Sequence, residues 1–181
     1  MSVKLPERIR WAVGLLDVRP DQRILEIGCG PGVAARVIGE RLTGGRLVAI
    51  DRSATAIRRA TARNADLIAA GRVSFEQADF AGYDPEGLPF HSVLAMNVNL
   101  FWTRPAAREW QVLQQVLRPG GAVVLCYGYG PDPGPTSTRD IGGIIGDALR
   151  ARGYAVTVEQ APDGSSFAVV GHRPPISRGD Q

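Results

Sequence analysis

Three glycines at alternate positions directly follow a short apolar segment: Gly28, Gly30 and Gly32. That segment, 23–27, contains one acid, Glu26, and its composition is typical of a buried parallel strand. Glycines here let the backbone turn sharply and let a ligand approach the main chain closely. An amphipathic helical pattern follows directly, so the free N–H groups of its first turn face the same ligand. The spacing indicates a ligand-binding turn between a strand and a helix.

A second acid follows the glycine turn, at the end of the next apolar segment. Asp51 ends the apolar segment 46–51, which predicts a second strand. At the carboxyl edge of a parallel sheet, such an acid can accept hydrogen bonds from both hydroxyls of a ribose. Asp51 could instead only cap the following helix, although Ser53 is also a candidate for that cap. A glycine turn followed by a strand ending in Asp is much rarer by chance than the turn alone.

Two other phosphate-binding patterns fit this turn poorly. A dinucleotide fingerprint requires glycine where this chain has Val33, and the Gly-Lys-Ser/Thr ending of a P-loop is absent. A nicotinamide-dependent oxidoreductase shares half of the fold and the ribose acid, so it stays an alternative. The missing third glycine and the lack of a Tyr-x-x-x-Lys pair disfavour it.

The composition limits the class of protein. The 181 residues suffice for one α/β domain, and hydrophobic and charged fractions of 44% and 22% are ordinary for a globular protein. A net charge of +3 is too small to indicate a nucleic-acid or membrane partner. Two histidines with Cys29 and Cys126 make no metal constellation. Because neither a signal pattern nor a long apolar run is visible, we expect a cytoplasmic protein.

The segment 26–32, Glu-Ile-Gly-Cys-Gly-Pro-Gly, resembles the first motif of class I S-adenosylmethionine-dependent methyltransferases. Further segments resemble later motifs of the family in the correct order: the acid Asp51, then 77–80, 97–102 and 116–125. The resemblance implies an α/β three-layer sandwich, with a seven-stranded, mostly parallel sheet, an antiparallel last strand and helices on both faces. It predicts an N-terminal capping helix in 1–19, the methyltransferase domain in 20–172 and a flexible tail in 173–181.

The resemblance implies that the cofactor is S-adenosylmethionine and the product S-adenosylhomocysteine. Glu26 would orient the loop or reach the cofactor's ammonium through water, and Asp51 would bind the ribose. Asp79 would reach the adenine amino group and the N–H of Phe80 a ring nitrogen, unless Asp79 only begins a turn. The predicted cofactor-binding residues are Glu26, Gly28, Cys29, Gly30, Gly32, Asp51, Arg52, Asp79, Phe80 and Asn97.

Sequence motifs define the binding site of the methyl acceptor less well than that of the cofactor. The tetrapeptide beginning at Asn97 lacks the prolines and the aromatic residue of the Asn/Asp-Pro-Pro-Tyr signature, which disfavours amine methylation of adenine or glutamine. Phe101 and Trp102 can stack on an apolar or aromatic acceptor or simply pack under the next helix. The predicted substrate residues are Trp11, Asn99, Phe101, Trp102, Tyr127 and Tyr129.

Because the chain shows no added domain, we expect a small-molecule acceptor and neither nucleic acid nor membrane as partner. A homodimer is left open, and the glycine- and proline-rich segment 128–137 is either a lid or a connector. No residue stands out as a catalytic base, since aligning the acceptor can supply much of the rate of methyl transfer. A non-catalytic S-adenosylmethionine-binding protein would keep the same motifs, so it is the alternative from another class.

Overall fold

A computed structural model describes residues 5–85, 87–103, 106–128 and 138–176, with the side chains of 138–140 excepted. Seven strands form one sheet: β1 Arg23–Ile27, β2 Arg46–Asp51, β3 Val73–Gln77, β4 Phe90–Met96, β5 Leu117–Tyr127, β6 Ala155–Gln160 and β7 Phe167–His172. Their spatial order is β3-β2-β1-β4-β5-β7-β6. The pairs from β3 to β5 are parallel, and β7 runs antiparallel to both of its neighbours. The predicted mostly parallel sheet with an antiparallel last strand is confirmed.

Helices cover both faces of the sheet: α1 Glu7–Leu15, α2 Val33–Arg41, α3 Ala54–Arg63, α4 Ala65–Ala69, α5 Ala107–Val116 and α6 Thr138–Arg150. Buried residues of α1 to α4 share one hydrophobic core with the sheet. Those of α5 and α6 share a second core on the opposite face. The three layers predicted from the sequence are therefore present. Helix α1 lies within the predicted segment 1–19 and packs against α2.

Strand β1 lies between β2 and β4, and the helices on both sides of the sheet bury both of its faces. Leu25 and Ile27 pack into the core beside α5 and α6, whereas Ile24 packs on the other face. Side chains alternate along a strand, so Glu26 is carried to the face of Ile24. Its register neighbours are Ala49 and Leu94, and only 3% of Glu26 is exposed. The position of Glu26 in β1 therefore buries its carboxylic acid among apolar side chains.

The helical segment after β2 is broken at Asn64, between α3 and α4. The φ of Asn64 is −115°, and its fully buried amide Nδ2 donates to the carbonyls of Ala60 (2.8 Å) and Gly32 (3.1 Å). A Cβ on Gly32 would stand 2.7 Å from that nitrogen, so only glycine fits there. The break therefore anchors the glycine turn.

The order of the strands reverses between β1 and β4, which places a crevice at their carboxyl ends. Arg173, assigned to the flexible tail by the sequence, is hydrogen-bonded through its backbone to Gly120 (3.1 Å) and Gly121 (2.9 Å) beside β5. No helix in the described part of the chain is both long and apolar enough to cross a membrane.

Candidate functional site

A cavity of about 500 Å³ lies at the carboxyl ends of β1 to β4, at the reversal of strand order. Its walls come from four consecutive strand ends and from the segment that follows β4. The lining residues are Ile27, Gly28, Ile50, Asp51, Arg52, Ala78, Asp79, Phe80, Met96, Asn97, Val98, Asn99, Leu100 and Thr103. Five of the predicted cofactor-binding residues besides Gly28 therefore border one space: Asp51, Arg52, Asp79, Phe80 and Asn97.

The glycine turn is fastened to the neighbouring strand by its own backbone. The N–H groups of Gly28 and Cys29 both donate to the carbonyl of Ile50, at 2.8 and 3.0 Å. Gly28, Gly30 and Gly32 all have positive φ, between 52° and 72°, a conformation that other residues rarely adopt. A Cβ on Gly28 would stand 2.6 Å from Cγ2 of Val98. The turn thus needs glycine for its conformation and, at Gly28, for space.

Asp51 connects the glycine turn to the start of α3. Its Oδ2 accepts from the N–H of Gly30 (2.9 Å) and its Oδ1 from the N–H of Ser53 (2.8 Å). The helix cap is Ser53, whose Oγ accepts from the N–H of Ala56 (3.2 Å). Asp51 is therefore more than a cap: its carboxylate organises the turn and borders the cavity, where it can accept further hydrogen bonds.

Glu26 lies beneath the turn as a buried acid with an unused oxygen. Its Oε2 has no hydrogen-bond partner among the described residues. Burial first, and then the charge of Asp51, raises the pKa of Glu26 to about 8, from an ordinary value of 4.5. At neutral pH the carboxyl is therefore mostly protonated, and a cation brought to it would favour its ionisation. The same surroundings, with burial as the largest cause, raise the pKa of the Cys29 thiol.

Asp79 and Phe80 border the cavity at the end of β3. Oδ1 of Asp79 accepts from the N–H of Ala81 (3.0 Å), which begins a short 3-10 helix at Phe80–Gly82. Asp79 therefore begins a turn and also borders the cavity. The adenine contact remains a prediction.

Asn97 uses its side chain to join two strand ends. Its φ is 54°, unusual for a residue other than glycine. Its Nδ2 donates to the carbonyl of Gly128 (3.1 Å), and its Oδ1 accepts from the N–H of Gly128 (2.9 Å). The side chain predicted to bind cofactor is therefore paired with the backbone after β5, although the residue borders the cavity.

Two of the predicted substrate residues are core residues. Phe101 is 2% exposed and packs against Phe80 and Trp110, with ring centroids 6.1 and 4.7 Å apart. Tyr127 is 1% exposed, stacks on Phe167 and donates its hydroxyl to the carbonyl of Val98 (2.9 Å). Neither side chain is among those that border the cavity in the described structure. Their contact with the substrate stays a prediction, because a cluster of aromatic residues fits a core as well as a pocket.

The remaining predicted site residues lie in different parts of the structure. Asn99 borders the cavity, while Trp11 and Trp102 are half-buried and pack against the cores on opposite faces of the sheet. Tyr129, with most of segment 128–137, lies outside the described residues. Glu26, Cys29, Gly30 and Gly32 form or support the turn without bordering the cavity as described.

The sequence analysis missed the apolar part of the cavity wall: Ile27, Ile50, Ala78, Met96, Val98 and Leu100. A signal for three of them was available. Ile27 and Ile50 directly precede Gly28 and Asp51, and Met96 ends β4, so each follows from its place at a strand's carboxyl end. Thr103 has no such signal, because it reaches the cavity through a short 3-10 helix at Asn99–Phe101.

These features fit S-adenosylmethionine. The carboxylates of Asp51 and Asp79 offer acceptors for a nucleoside at one edge of the cavity. The glycine turn leaves main chain uncovered at Gly30, where a Cβ would have no atom within 4 Å, and Glu26 places an unpartnered oxygen beneath that turn. Acceptors for hydroxyls, an open turn and a buried acid together match a ribose, an adenine and an amino-acid ammonium.

Comparison with known proteins gives independent evidence. A family model described as a methyltransferase domain matches residues 24–121, more than half of the chain. A trans-aconitate 2-methyltransferase from Streptomyces avermitilis is 30% identical over 107 residues, 59% of this chain and 39% of the relative. A protein-L-isoaspartate O-methyltransferase from Methylorubrum populi is 31% identical over 138 residues, 76% of this chain and 59% of the relative. The chain thus spans less than two thirds of either relative's length.

A solved structure shares the fold over nearly the whole chain. The S-adenosylmethionine-dependent methyltransferase from Aquifex aeolicus matches with a TM-score of 0.74 at 15% identity, covering 92% of this chain and 93% of that chain. This likeness concerns the fold, and the family model adds kinship in sequence. By its motifs, its sheet and its match to the methyltransferase domain, the chain belongs to the class I S-adenosylmethionine-dependent methyltransferase family.

Proposed function

We propose that this protein transfers a methyl group from S-adenosylmethionine to a small-molecule acceptor. The observation that carries the proposal is the placement of Asp51, which holds the glycine turn through Gly30 and borders the cavity at the reversal of strand order. A carboxylate there can serve the ribose, while Asp79 and the N–H of Phe80 serve the adenine. Glu26 and the glycine turn lie where the amino-acid part of the cofactor would be held.

Methyl transfer mainly requires that the acceptor be aligned with the methyl group of the cofactor. Methyl transfer from a sulfonium is an in-line displacement, and an acceptor held about 3 Å from the methyl carbon gains much of the possible rate from orientation. The task of this chain is to fix both partners and to exclude water. Met96, Val98 and Leu100 give the cavity an apolar wall after β4 that suits this task.

The size of the cavity favours a small acceptor. About 500 Å³ is within the range of roughly 300–1,000 Å³ typical of small-molecule sites, and the cofactor itself would occupy much of it. Among the described lining residues the only cation is Arg52, which can pair with one carboxylate but cannot neutralise the successive phosphates of a nucleic-acid backbone. We therefore infer a small metabolite rather than a nucleic acid as acceptor.

The lining also bears on the chemistry of the acceptor. In the described part of the chain the cavity is bordered by no His, Lys, Cys or Tyr, the side chains best suited to remove a proton near neutral pH. A carboxylate is already ionised there and needs no base. The name of the Streptomyces avermitilis relative includes trans-aconitate. That compound carries carboxylates and is the first acceptor to test. An aromatic acceptor loses support because Phe101 and Tyr127 are core residues.

Calorimetric titration tests the cofactor half of the proposal. We expect micromolar binding of S-adenosylmethionine and S-adenosylhomocysteine and no binding of NAD or NADP. Asp51→Asn should weaken S-adenosylhomocysteine at least about tenfold, because a charged acceptor of hydrogen bonds is lost. Asp147→Asn is the matched control, since Asp147 is exposed on α6 and pairs only with Arg150 among the described contacts. Binding of NAD instead would overturn the proposal in favour of an oxidoreductase.

Measuring the release of S-adenosylhomocysteine during turnover tests the proposed class of acceptor. Trans-aconitate, an aromatic phenol and a nucleic-acid oligomer would be compared at saturating cofactor. Turnover with the carboxylate alone would support the proposed class, and turnover with the oligomer would refute it. Tight cofactor binding without turnover on any acceptor class would favour a non-catalytic binding protein.

A further inference from the structure

The backbone after β4 is held to the end of β5 by a set of bonds that we call the latch. Asn97 begins it: its N–H donates to the carbonyl of Cys126 (2.8 Å), and its side-chain amide makes two hydrogen bonds with the backbone of Gly128 (3.1 and 2.9 Å). Asn97 holds a φ of 54°, which costs free energy for any residue other than glycine. The chain therefore turns sharply at the point where it enters the cavity wall.

Tyr127 completes the latch from within the core. Its ring is 1% exposed and stacks on Phe167, with centroids 5.6 Å apart, so its orientation is fixed. From there its hydroxyl donates to the carbonyl of Val98 (2.9 Å). Val98 is thus held by Asn97, the residue before it, and by the hydrogen bond from Tyr127 in the core.

The residue held by the latch faces the glycine turn. Cγ2 of Val98 stands 2.6 Å from the place where a Cβ on Gly28 would be, and both residues border the cavity. The position of Val98 therefore sets the separation between the turn and the opposite wall. A shift of Val98 by a few tenths of an ångström would change the contacts available to a ligand there.

We infer that Asn97 and Tyr127 are positioning residues, which set the affinity for the cofactor by holding Val98 against the glycine turn. This inference rests on the proposed function, because it concerns the same cavity. It gives new roles to one residue predicted to bind cofactor and another predicted to bind substrate: each acts on the ligand through Val98.

Tyr127→Phe tests the inference with a matched control. The variant keeps the stacked ring and removes the hydrogen bond to Val98, so binding of S-adenosylhomocysteine should weaken by more than twofold and by at most about fivefold, the full worth of such a bond. Tyr154→Phe removes the same atom elsewhere, because Tyr154 is 5% exposed and its hydroxyl has no hydrogen-bond partner among the described residues. Its dissociation constant should stay within about twofold of wild type.

Asn97→Gly supplies a second, independent test. Glycine accepts the positive φ without strain but lacks the amide, so the variant isolates the two bonds to Gly128 from the backbone conformation. We expect weaker binding of S-adenosylhomocysteine here too, measured by calorimetry well below the Tm.

The outcomes separate the possible explanations. A residue that supports only the fold would lower the Tm of Tyr127→Phe and leave the dissociation constant unchanged. The inference is overturned if both latch variants fold and bind within about twofold of wild type. Failure of the wild type to bind S-adenosylhomocysteine would instead overturn the proposed function, and the inference with it.

Discussion

The two sides of the cavity are built differently. On the side of β1 to β3, polar contacts made close to strand ends hold the site: Asp51 accepts from Gly30, and the carbonyl of Ile50 accepts from Gly28 and Cys29. On the side of β4 and β5, the wall is held by the hydrogen bonds of the latch together with aromatic packing beneath it. Phe101 and Tyr127 lie in the core and support residues that border the cavity, without bordering it themselves.

Under the proposed function, the β1 to β3 side recognises the nucleoside of the cofactor, whereas the β4 and β5 side shapes the acceptor space and sets the position of the wall at Val98. A nucleoside offers fixed donors and acceptors, which fixed strand ends can match. An acceptor is distinguished by the shape of its pocket, and shape depends on the side chains packed behind the wall. Variants on the first side should therefore change ligand affinity directly, whereas variants on the second should act mainly through stability or wall position.

The largest effect should come from the core below the acceptor side. Phe101→Ala removes a ring packed between Phe80 and Trp110 and should lower the free energy of unfolding by about 3–5 kcal/mol, measured by urea denaturation. Phe101→Leu should cost much less and should leave the KM for the acceptor nearly unchanged. A large rise in that KM, with stability intact, would instead show that Phe101 touches the acceptor.

A smaller effect is expected where the two sides meet. Gly28→Ala adds a methyl group 2.6 Å from Val98 at a φ of 68°, so strain and overlap together should cost about 2–4 kcal/mol in stability or cofactor binding. Gly30→Ala is the control, because its φ of 52° is also positive but a Cβ there would have no atom within 4 Å. If both variants bound S-adenosylhomocysteine equally well, contact with Val98 would not define the cavity.

The same contrast explains what could be predicted from the sequence. The glycine turn and Asp51 were predictable because their signals are local: residue type, spacing and position at a strand end. The family resemblance carried by the order of the motifs implied the sheet with an antiparallel last strand, and the structure confirms it.

The burial of Phe101 and Tyr127 did not follow from the motifs, and the cause is physical. Whether an aromatic side chain faces a core or a pocket depends on tertiary packing, which spacing alone does not specify. For Tyr127 a signal was available: Leu125 and Tyr127 are two apart on β5 and must share a face, while Cys126 faces the other core. The break at Asn64 was not predictable in this way, because it depends on the carbonyl of Gly32, distant in sequence.

The last prediction concerns the pH dependence of Glu26 on the cofactor side. Because the pKa of Glu26 is raised from 4.5 to about 8, the folded protein retains a proton that the unfolded chain loses. The free energy of unfolding should therefore fall as the pH rises from 4.5 towards 8. If the ionised carboxyl receives the cofactor's ammonium, binding must release that proton, so affinity should rise about tenfold from pH 6 to pH 7.

Calorimetry in buffers of different ionisation enthalpy measures this proton release directly. The interval from pH 6 to pH 7 is chosen because an α-amino group, with a pKa of about 7.7–8.0, stays mostly protonated there. Glu26→Gln should abolish both the slope and the released proton, whereas Glu40→Gln, which alters an exposed acid of α2, should change neither. A slope that persists in Glu26→Gln would assign the proton to another group and leave Glu26 as a support of the turn. A slope lost only there would show that the cofactor side responds to charge as well as to shape.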